Sequence, residues 1–328
     1  MKPPRAVRAG LLPGLVLMGI VLYAAAPSPE TPIGARWWPS EWGADDQRGA
    51  VNRLTEGHVK DATRLIREGK VYQLGRRYEH GMPMPPGKRH YSLTIPGSPS
   101  GGPFGKNKIV HHDELFSGEI GQVGTQLDGL GHVGVRVGSE DLFYNGFKRS
   151  EFGTAYGLEK IGIENVGVFF TRGVLVDVAA WKGVERMKVG EVITDRDLQA
   201  ALEAQGTAIR EGDVVLIRTG HGALWMKDNA AFSSGEPGIG MAAARWLCER
   251  KIVMVGADTW ATEVIPPEDA DRPYEVHQEL LVRHGIYNLE NLDLDGLAKD
   301  KAYEFAFIFA PLPIKGATGS PGNPIAVR

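Results

Sequence analysis

One cysteine, Cys248, is present in 328 residues. No disulfide can form within the chain, and metal sites built from several thiolates are excluded. Basic residues are not in excess, with 37 Lys and Arg against 40 Asp and Glu. No basic patch is visible along the chain, so nucleic acid is not an expected partner. Past residue 26 no apolar run is long enough to span a membrane. The chain also lacks a G-x-S-x-G elbow, a Walker A run and an H-E-x-x-H pair. The commonest serine-hydrolase, P-loop and zincin readings therefore fall away. Gly238-Ile239-Gly240-Met241-Ala242-Ala243 spells a dinucleotide fingerprint, but Ser233 to Pro237 ahead of it reads as loop. Without a preceding strand the pyrophosphate turn is not expected.

What the chain has in quantity is glycine, 43 residues, where about 7% is usual. The glycines keep no three-residue period and sit between apolar runs, as in a fold with many turns and close backbone approaches. At this length roughly 75% of the unfolded surface is buried on folding, so a core needs no staples. Residues 1–26 are of another kind. Lys2, Arg5 and Arg8 precede an uncharged stretch, Ala9 to Ala26, that closes on Ala24-Ala25-Ala26. This is the pattern of a secretory signal peptide, with an uncleaved membrane anchor as the alternative. It predicts a periplasmic or secreted protein that meets the membrane only through this segment. Residues 27–52 read as an N-terminal arm carrying Trp37, Trp38 and Trp42, and residues 53–328 as one domain.

Within that domain, Thr55 is placed to cap a helix whose one face holds His58, Ala62, Leu65 and Ile66. Val71 to Leu74 begins a strand, and residues 81–107, dense in proline and glycine, read as a long loop. Strand and helix signals then alternate. Strands are expected at 168–178, 213–218, 252–256 and 286–289, and helices at 195–204, 241–250 and 274–284, with Gly285 closing the last. The run from Phe305 to Ile314 is expected to end the ordered pattern. Cys248 falls in an apolar-periodic helix and reads as a core residue. The expectation is a single compact α/β (α+β) domain with a mixed sheet.

The segment Gly121-Gln122-Val123-Gly124-Thr125-Gln126-Leu127-Asp128-Gly129-Leu130-Gly131-His132 carries the chemistry. Read as a strand, it puts Gln122, Gly124, Gln126 and Asp128 on one face. Gly121, Gly124, Gly129 and Gly131 around them would let a ligand approach the backbone. Such a polar face is costly to bury without partners; a solvated, turn-rich edge strand is the plain alternative.

This segment resembles one from the cyclase-type metal-dependent hydrolases of the kynurenine formamidase and isatin hydrolase kind. There, two histidines flank Gly-Thr, and an aspartate and a further histidine follow. Asp213 to Gly220, Gly256 to Thr259, His277 to Leu281, Glu290 and Gly316 to Pro321 agree in the same order, so the resemblance runs over residues 50–325. It implies a compact β/β/α fold, a homodimer and a divalent metal, manganese or zinc. By the resemblance Asp128, His277 and Glu290 are metal ligands and His132 is the general acid/base. Both histidine ligands of the family are glutamine here, at 122 and 126. Gln122 and Gln126 would have to coordinate through neutral carboxamide oxygens, which turns the donor set toward manganese, magnesium or calcium.

The chemistry expected is hydrolysis of a small amide, formamide or lactam, with His132 moving the proton. Two readings compete with it: a metal-free periplasmic small-molecule binding protein on the same fold, and a cyclase or isomerase using His132 and Asp128 for proton transfer. His221 after a strand, His112 of the His111-His112 pair and Trp260 are further candidates for the pocket. Trp37, Trp38 and Trp42 are candidate aromatic walls, or packing of the arm.

Overall fold

Runs of valine, isoleucine and leucine bounded by turn residues become the middle of a nine-stranded sheet in the computed structural model, which describes residues 1–2, 30–85, 87 and 89–328. The strands are β1 (Val71–Gln73), β2 (Gln126–Asp128), β3 (Phe169–Asp177), β4 (Val214–Arg218), β5 (Met254–Ala257), β6 (Tyr287–Glu290), β7 (Glu304–Phe309), β8 (Gly319–Pro321) and β9 (Ile325–Val327). Their order across the sheet is β8-β2-β6-β5-β4-β3-β7-β9-β1. The four central strands, β3 to β6, are parallel. Parallel strands are covered on both faces and so read as continuous apolar runs rather than alternation. Val174 to Val176, Val214 to Ile217 and Met254 to Val255 are all buried. Antiparallel strands close the sheet on either side.

Three longer helices cover it. α1 (Glu56–Thr63) lies on β3, and α2 (Asp195–Gln205) packs on α3 (Met241–Glu249). Thr194 and Asp197 form a reciprocal capping box at the start of α2, which satisfies backbone donors the helix leaves open. The N-terminus of α3 is taken by a side chain, since Met241 N donates to Glu268 Oε2 at 2.7 Å. That end of the dinucleotide-like glycine run therefore already holds a carboxylate. Cys248 is buried on α3, and burial pushes its thiol pKa up, so it is an inert core residue.

Three expectations are corrected. Residues 81–107 are not a structureless loop: Tyr91–Thr94 pairs with Leu115–Gly118, and Gly101–Phe104 pairs with Ile109–His111. Proline and glycine inside these short strands masked their period. The segment from Tyr274 is a three-residue helical turn, Glu275–His277, that widens into a π-helix, Gln278–Arg283. Order also continues past Ile314, because β8 and β9 return into the sheet. The arm is part of the domain: Trp37 packs with Val135, Leu142 and Val282, and Asn145 Nδ2 donates to the carbonyls of Gly43, Ala44 and Asp46. Apart from Met1 and Lys2, the segment read as an export signal lies outside the described residues. No helix among the described residues is long and apolar enough to cross a membrane.

The carboxyl ends of parallel strands are where such sheets place ligands, and one carboxylate organises that edge. Asp258, just after β5, accepts from Thr219 N (2.9 Å), Thr219 Oγ1 (2.8 Å) and Gly220 N (2.8 Å) after β4. Removing a buried acceptor strands each donor at a cost of about 1–3 kcal/mol. Asp258→Ala should therefore lower the urea midpoint by the equivalent of more than about 2 kcal/mol. A midpoint equal to that of the parent would show that the loops hold without it.

Candidate functional site

β2 is short because the chain before it is bent. Gly124 has φ +63, and a Cβ there would meet the Tyr78 ring at 2.7 Å. Gln122 is thus off the strand, and the expected four-residue polar face shrinks to Gln126 and Asp128. Thr125 pins the bend: its Oγ1 donates to Asn291 O at 2.8 Å and accepts from Arg76 N at 2.8 Å. The neighbouring glycines serve packing rather than a ligand. A Cβ on Gly121 would strike Gly319 O at 2.7 Å, on Gly129 it would strike Thr318 O at 2.8 Å, and on Gly131 the Leu158 side chain at 2.2 Å.

β2 pairs antiparallel with β6, Asp128 opposite Asn288 and Gln126 opposite Glu290. Period-2 geometry puts Asn288 and Glu290 on one face of β6, so four polar side chains meet there. Asn288 Nδ2 donates to Asp128 Oδ2 (3.0 Å) and Glu290 Oε1 (2.9 Å). Gln126 Nε2 donates to Glu290 Oε2 at 2.8 Å. Gln122 is held between Arg89 and Asp128: its Oε1 accepts from Arg89 Nη2 and its Nε2 faces Asp128 Oδ1, both at 3.4 Å. The glutamines present N–H groups to the carboxylates in this arrangement, and the Gln126 oxygen is left without a partner among the described residues.

His277 enters at the junction of the helical turn and the π-helix, an irregularity frequent at functional sites. Its Nδ1 is hydrogen-bonded to Glu263 Oε1, and its Nε2 lies 3.3 Å from Glu290 Oε1 and 3.6 Å from Asp128 Oδ2. A carboxylate behind a histidine that turns its other nitrogen to an ion is the usual arrangement of metal-binding imidazoles. Asp128, His277 and Glu290 are all buried, with one ligand atom of each within 4.8 Å of the others. Gln126 Oε1 and Asn288 Oδ1 are buried without a hydrogen-bond partner among the described residues. Two carboxylates, an oriented imidazole and carboxamide oxygens short of a positive partner are a donor set that fits a divalent ion.

Beside this cluster is a cavity of about 330 Å³ lined by His132, His277, Glu290, Arg89, Trp260 and Tyr274, among others. Its size suits a small molecule. His132 is part exposed at the wall, with Nε2 3.9 Å from Asp128 Oδ1. Trp260 forms a wall because Glu236, fully buried, accepts from Trp260 N at 2.7 Å and Ala261 N at 2.8 Å. Other candidates are elsewhere. His221 is buried against Phe232, with Nε2 3.1 Å from Phe232 O. His112 is exposed beyond the hairpin strand that ends at His111, and Trp37, Trp38 and Trp42 pack the arm against the rest of the domain. Glu263, Glu236, Arg89, Tyr274 and Asn288 escaped sequence reasoning. Asn288 alone had a readable signal, two residues before Glu290 on the same strand face.

Burial lowers the His132 pKa, opposed by Asp128, and so favours a neutral imidazole. Burial, then Asp128, raises Glu290 to about 7. Burial works against a charged His277, but Glu263 and then Glu290 outweigh it and lift its pKa well above the ordinary value. Both raised groups act with one sign: the folded chain holds protons that the unfolded chain releases earlier. Their stabilisation is full in acid and is lost as pH rises through the folded values. The urea midpoint of chelator-treated protein should fall between about pH 5 and about pH 8, and Glu290→Gln should flatten the fall. A midpoint that climbs over this range would contradict the assignment.

Comparison with known proteins places this geometry in a family. The model described as "Putative cyclase" matches residues 72–264. A solved structure described as a novel cyclase is 36% identical, covers 88% of this chain and 96% of its own, and superposes with a TM-score of 0.78. Isatin hydrolase A from Ralstonia solanacearum is 21% identical, covering 79% of this chain and 92% of its own with a TM-score of 0.58. An isatin hydrolase bound to the product analogue thioisatinate is 22% identical, covering 78% and 91%, with a TM-score of 0.56. At these last two identities the likeness is one of fold. No curated protein is detectably similar. The match over more than half the chain, together with the 36% identical structure, makes this protein a member of the cyclase family.

Proposed function

We propose that the protein is a metal-dependent hydrolase of a small carbonyl compound, an amide, formamide or lactam. The observation that carries this is the buried Asp128, His277 and Glu290 set opening on a 330 Å³ cavity with His132 in its wall. The shared fold with isatin hydrolases supports the reaction class. Asp128, His277 and Glu290 would hold the ion, with Glu263 orienting the imidazole. A divalent ion in such a set supplies Lewis-acid polarisation of a carbonyl group.

The protein's own residues do the rest. His132, kept neutral by burial, accepts the proton of the attacking water and returns it to the leaving nitrogen. Trp260 and Tyr274 face the apolar part of a substrate and exclude bulk water from the proton transfer. Arg89 fixes Gln122, and Gln122 in turn faces Asp128. A metal-free binding protein is the second reading. It is favoured by the Asn288 amide, whose N–H groups satisfy Asp128 and Glu290 without an ion.

Metal analysis of gently purified protein, followed by an amide-hydrolysis screen with and without added manganese, separates the two. Asp128→Ala should lose both metal and turnover. His132→Ala should keep the metal and lose about 10²–10⁴ in rate. Because burial lowers the His132 pKa, the acid limb of kcat/KM should sit below about 6.5. An acid limb that survives His132→Ala unchanged would remove His132 from the proton transfer. Absence of metal, with no response to added manganese or zinc, would leave the binding-protein reading.

A further inference from the structure

We infer that Asn288 is the fourth donor of the metal centre, through its carboxamide oxygen, and that Gln122 and Gln126 are positioning residues that hold the outer carboxylate oxygens. The inference rests on the metal-centred reading above and adds to it a ligand.

The geometry is that of an edge count. A four-coordinate ion with ligands at about 2.0–2.2 Å has ligand-to-ligand edges of about 3.3–3.6 Å. His277 Nε2 stands 3.6 Å from Asp128 Oδ2 and 3.3 Å from Glu290 Oε1. The Asn288 carboxamide atom facing them is 3.0 Å from the same Asp128 oxygen, 2.9 Å from the same Glu290 oxygen and 3.2 Å from the same imidazole nitrogen. Five edges of this length thus join the four atoms around the Asn288–His277 pair, and ligand atoms of Asp128 and Glu290 lie within 4.8 Å of each other. Each atom comes from a different side chain, on β2, on β6 twice, and on the helical turn.

The atom turned inward is Nδ2, and its two hydrogens face three neighbours. Meanwhile Asn288 Oδ1 is buried with no partner among the described residues. Turning the amide about its last bond exchanges the two ends, which are nearly the same size. It then places an oxygen at the fourth corner, where a cation satisfies it. The outer corners are already occupied: Gln126 Nε2 holds Glu290 Oε2, and Gln122 Nε2 faces Asp128 Oδ1. Each carboxylate is left with one oxygen directed inward. A chain that carries glutamine at 122 and 126 thereby keeps a four-donor centre of one imidazole and three oxygens. Such a set suits manganese or zinc, either of which can expand to take a fifth ligand from the cavity side, where His277 and Glu290 line the wall.

The test is calorimetric titration of manganese into chelator-stripped full-length protein, as wild type, Asn288→Ala and Asn288→Asp, with circular dichroism to check folding. Asn288→Ala should bind manganese at least about tenfold more weakly, while Asn288→Asp, which keeps an oxygen donor, should bind as tightly as wild type or tighter. Cobalt-loaded wild type should show the intense visible bands of a four-coordinate ion, weakened in Asn288→Ala. Unchanged or tighter manganese binding by Asn288→Ala would overturn the inference alone, with the amide then a competitor for the ion's position. Failure of wild type to bind manganese, zinc or cobalt would overturn both this inference and the metal-dependent reading. If Asn288→Ala does not fold, Asn288→Asp still decides: a tenfold loss there overturns the proposal.

Discussion

The antiparallel pairing of β2 with β6 sets the contacts among Gln126, Asp128, Asn288 and Glu290. Asp128 is set opposite Asn288 and Gln126 opposite Glu290, and a slip of one residue would exchange faces entirely. Leu127 and Leu289, both buried in the core, would then point at the cavity and the acids into the core. The register is enforced from both sides, because β8 pairs with the other edge of β2 and Gly129 N donates to Thr318 O at 2.9 Å. The bend at Gly124 and the hold on Thr125 stop β2 from extending. A three-residue strand, fixed at both ends and both edges, has nowhere to slide.

Burying three carboxylates together would be prohibitive for an uncompensated cluster. Here Asp128, Glu263 and Glu290 surround one imidazole, and three carboxamides hand their N–H groups to two of the acids. Gln122 is itself held by Arg89. The arrangement is incomplete, since two carboxamide oxygens remain without partners among the described residues. The same few amides that keep the acids buried supply N–H groups but no full positive charge.

The parallel strands were legible because burial on both faces writes apolar runs that turn residues punctuate. The hairpins at 91–118 were not, since Pro99, Pro103 and their glycines interrupt the alternation that marks a strand. The π-helix was hidden because a widened turn leaves composition and apolar content unaltered. Asp128, His132, His277 and Glu290 were legible as chemistry-bearing residues in a recognisable order. Glu263 was not, because it reaches His277 from a loop whose path depends on Thr262 in a left-handed conformation, φ +61. A strand end says where His221 lies but not which way its ring turns; it packs on Phe232. The glycines around the motif were read as space for a ligand, whereas each is closed off by a neighbouring backbone or side chain.

β2 lies at residues 126–128, yet both its partners are far along the chain, at 287–290 and 319–321. Loop closures of this length are made late in folding. During synthesis the Asp128 carboxylate leaves the ribosome well before the strands that will flank it, so no partial chain possesses the cluster. Asp128, His277, Asn288 and Glu290 come together only when β6, the sixth of the nine strands in chain order, is in place. Every contact of Asp128 with His277 and Asn288 is thus a long-range one, and assembly of the cluster is coupled to closure of the sheet rather than to any local turn.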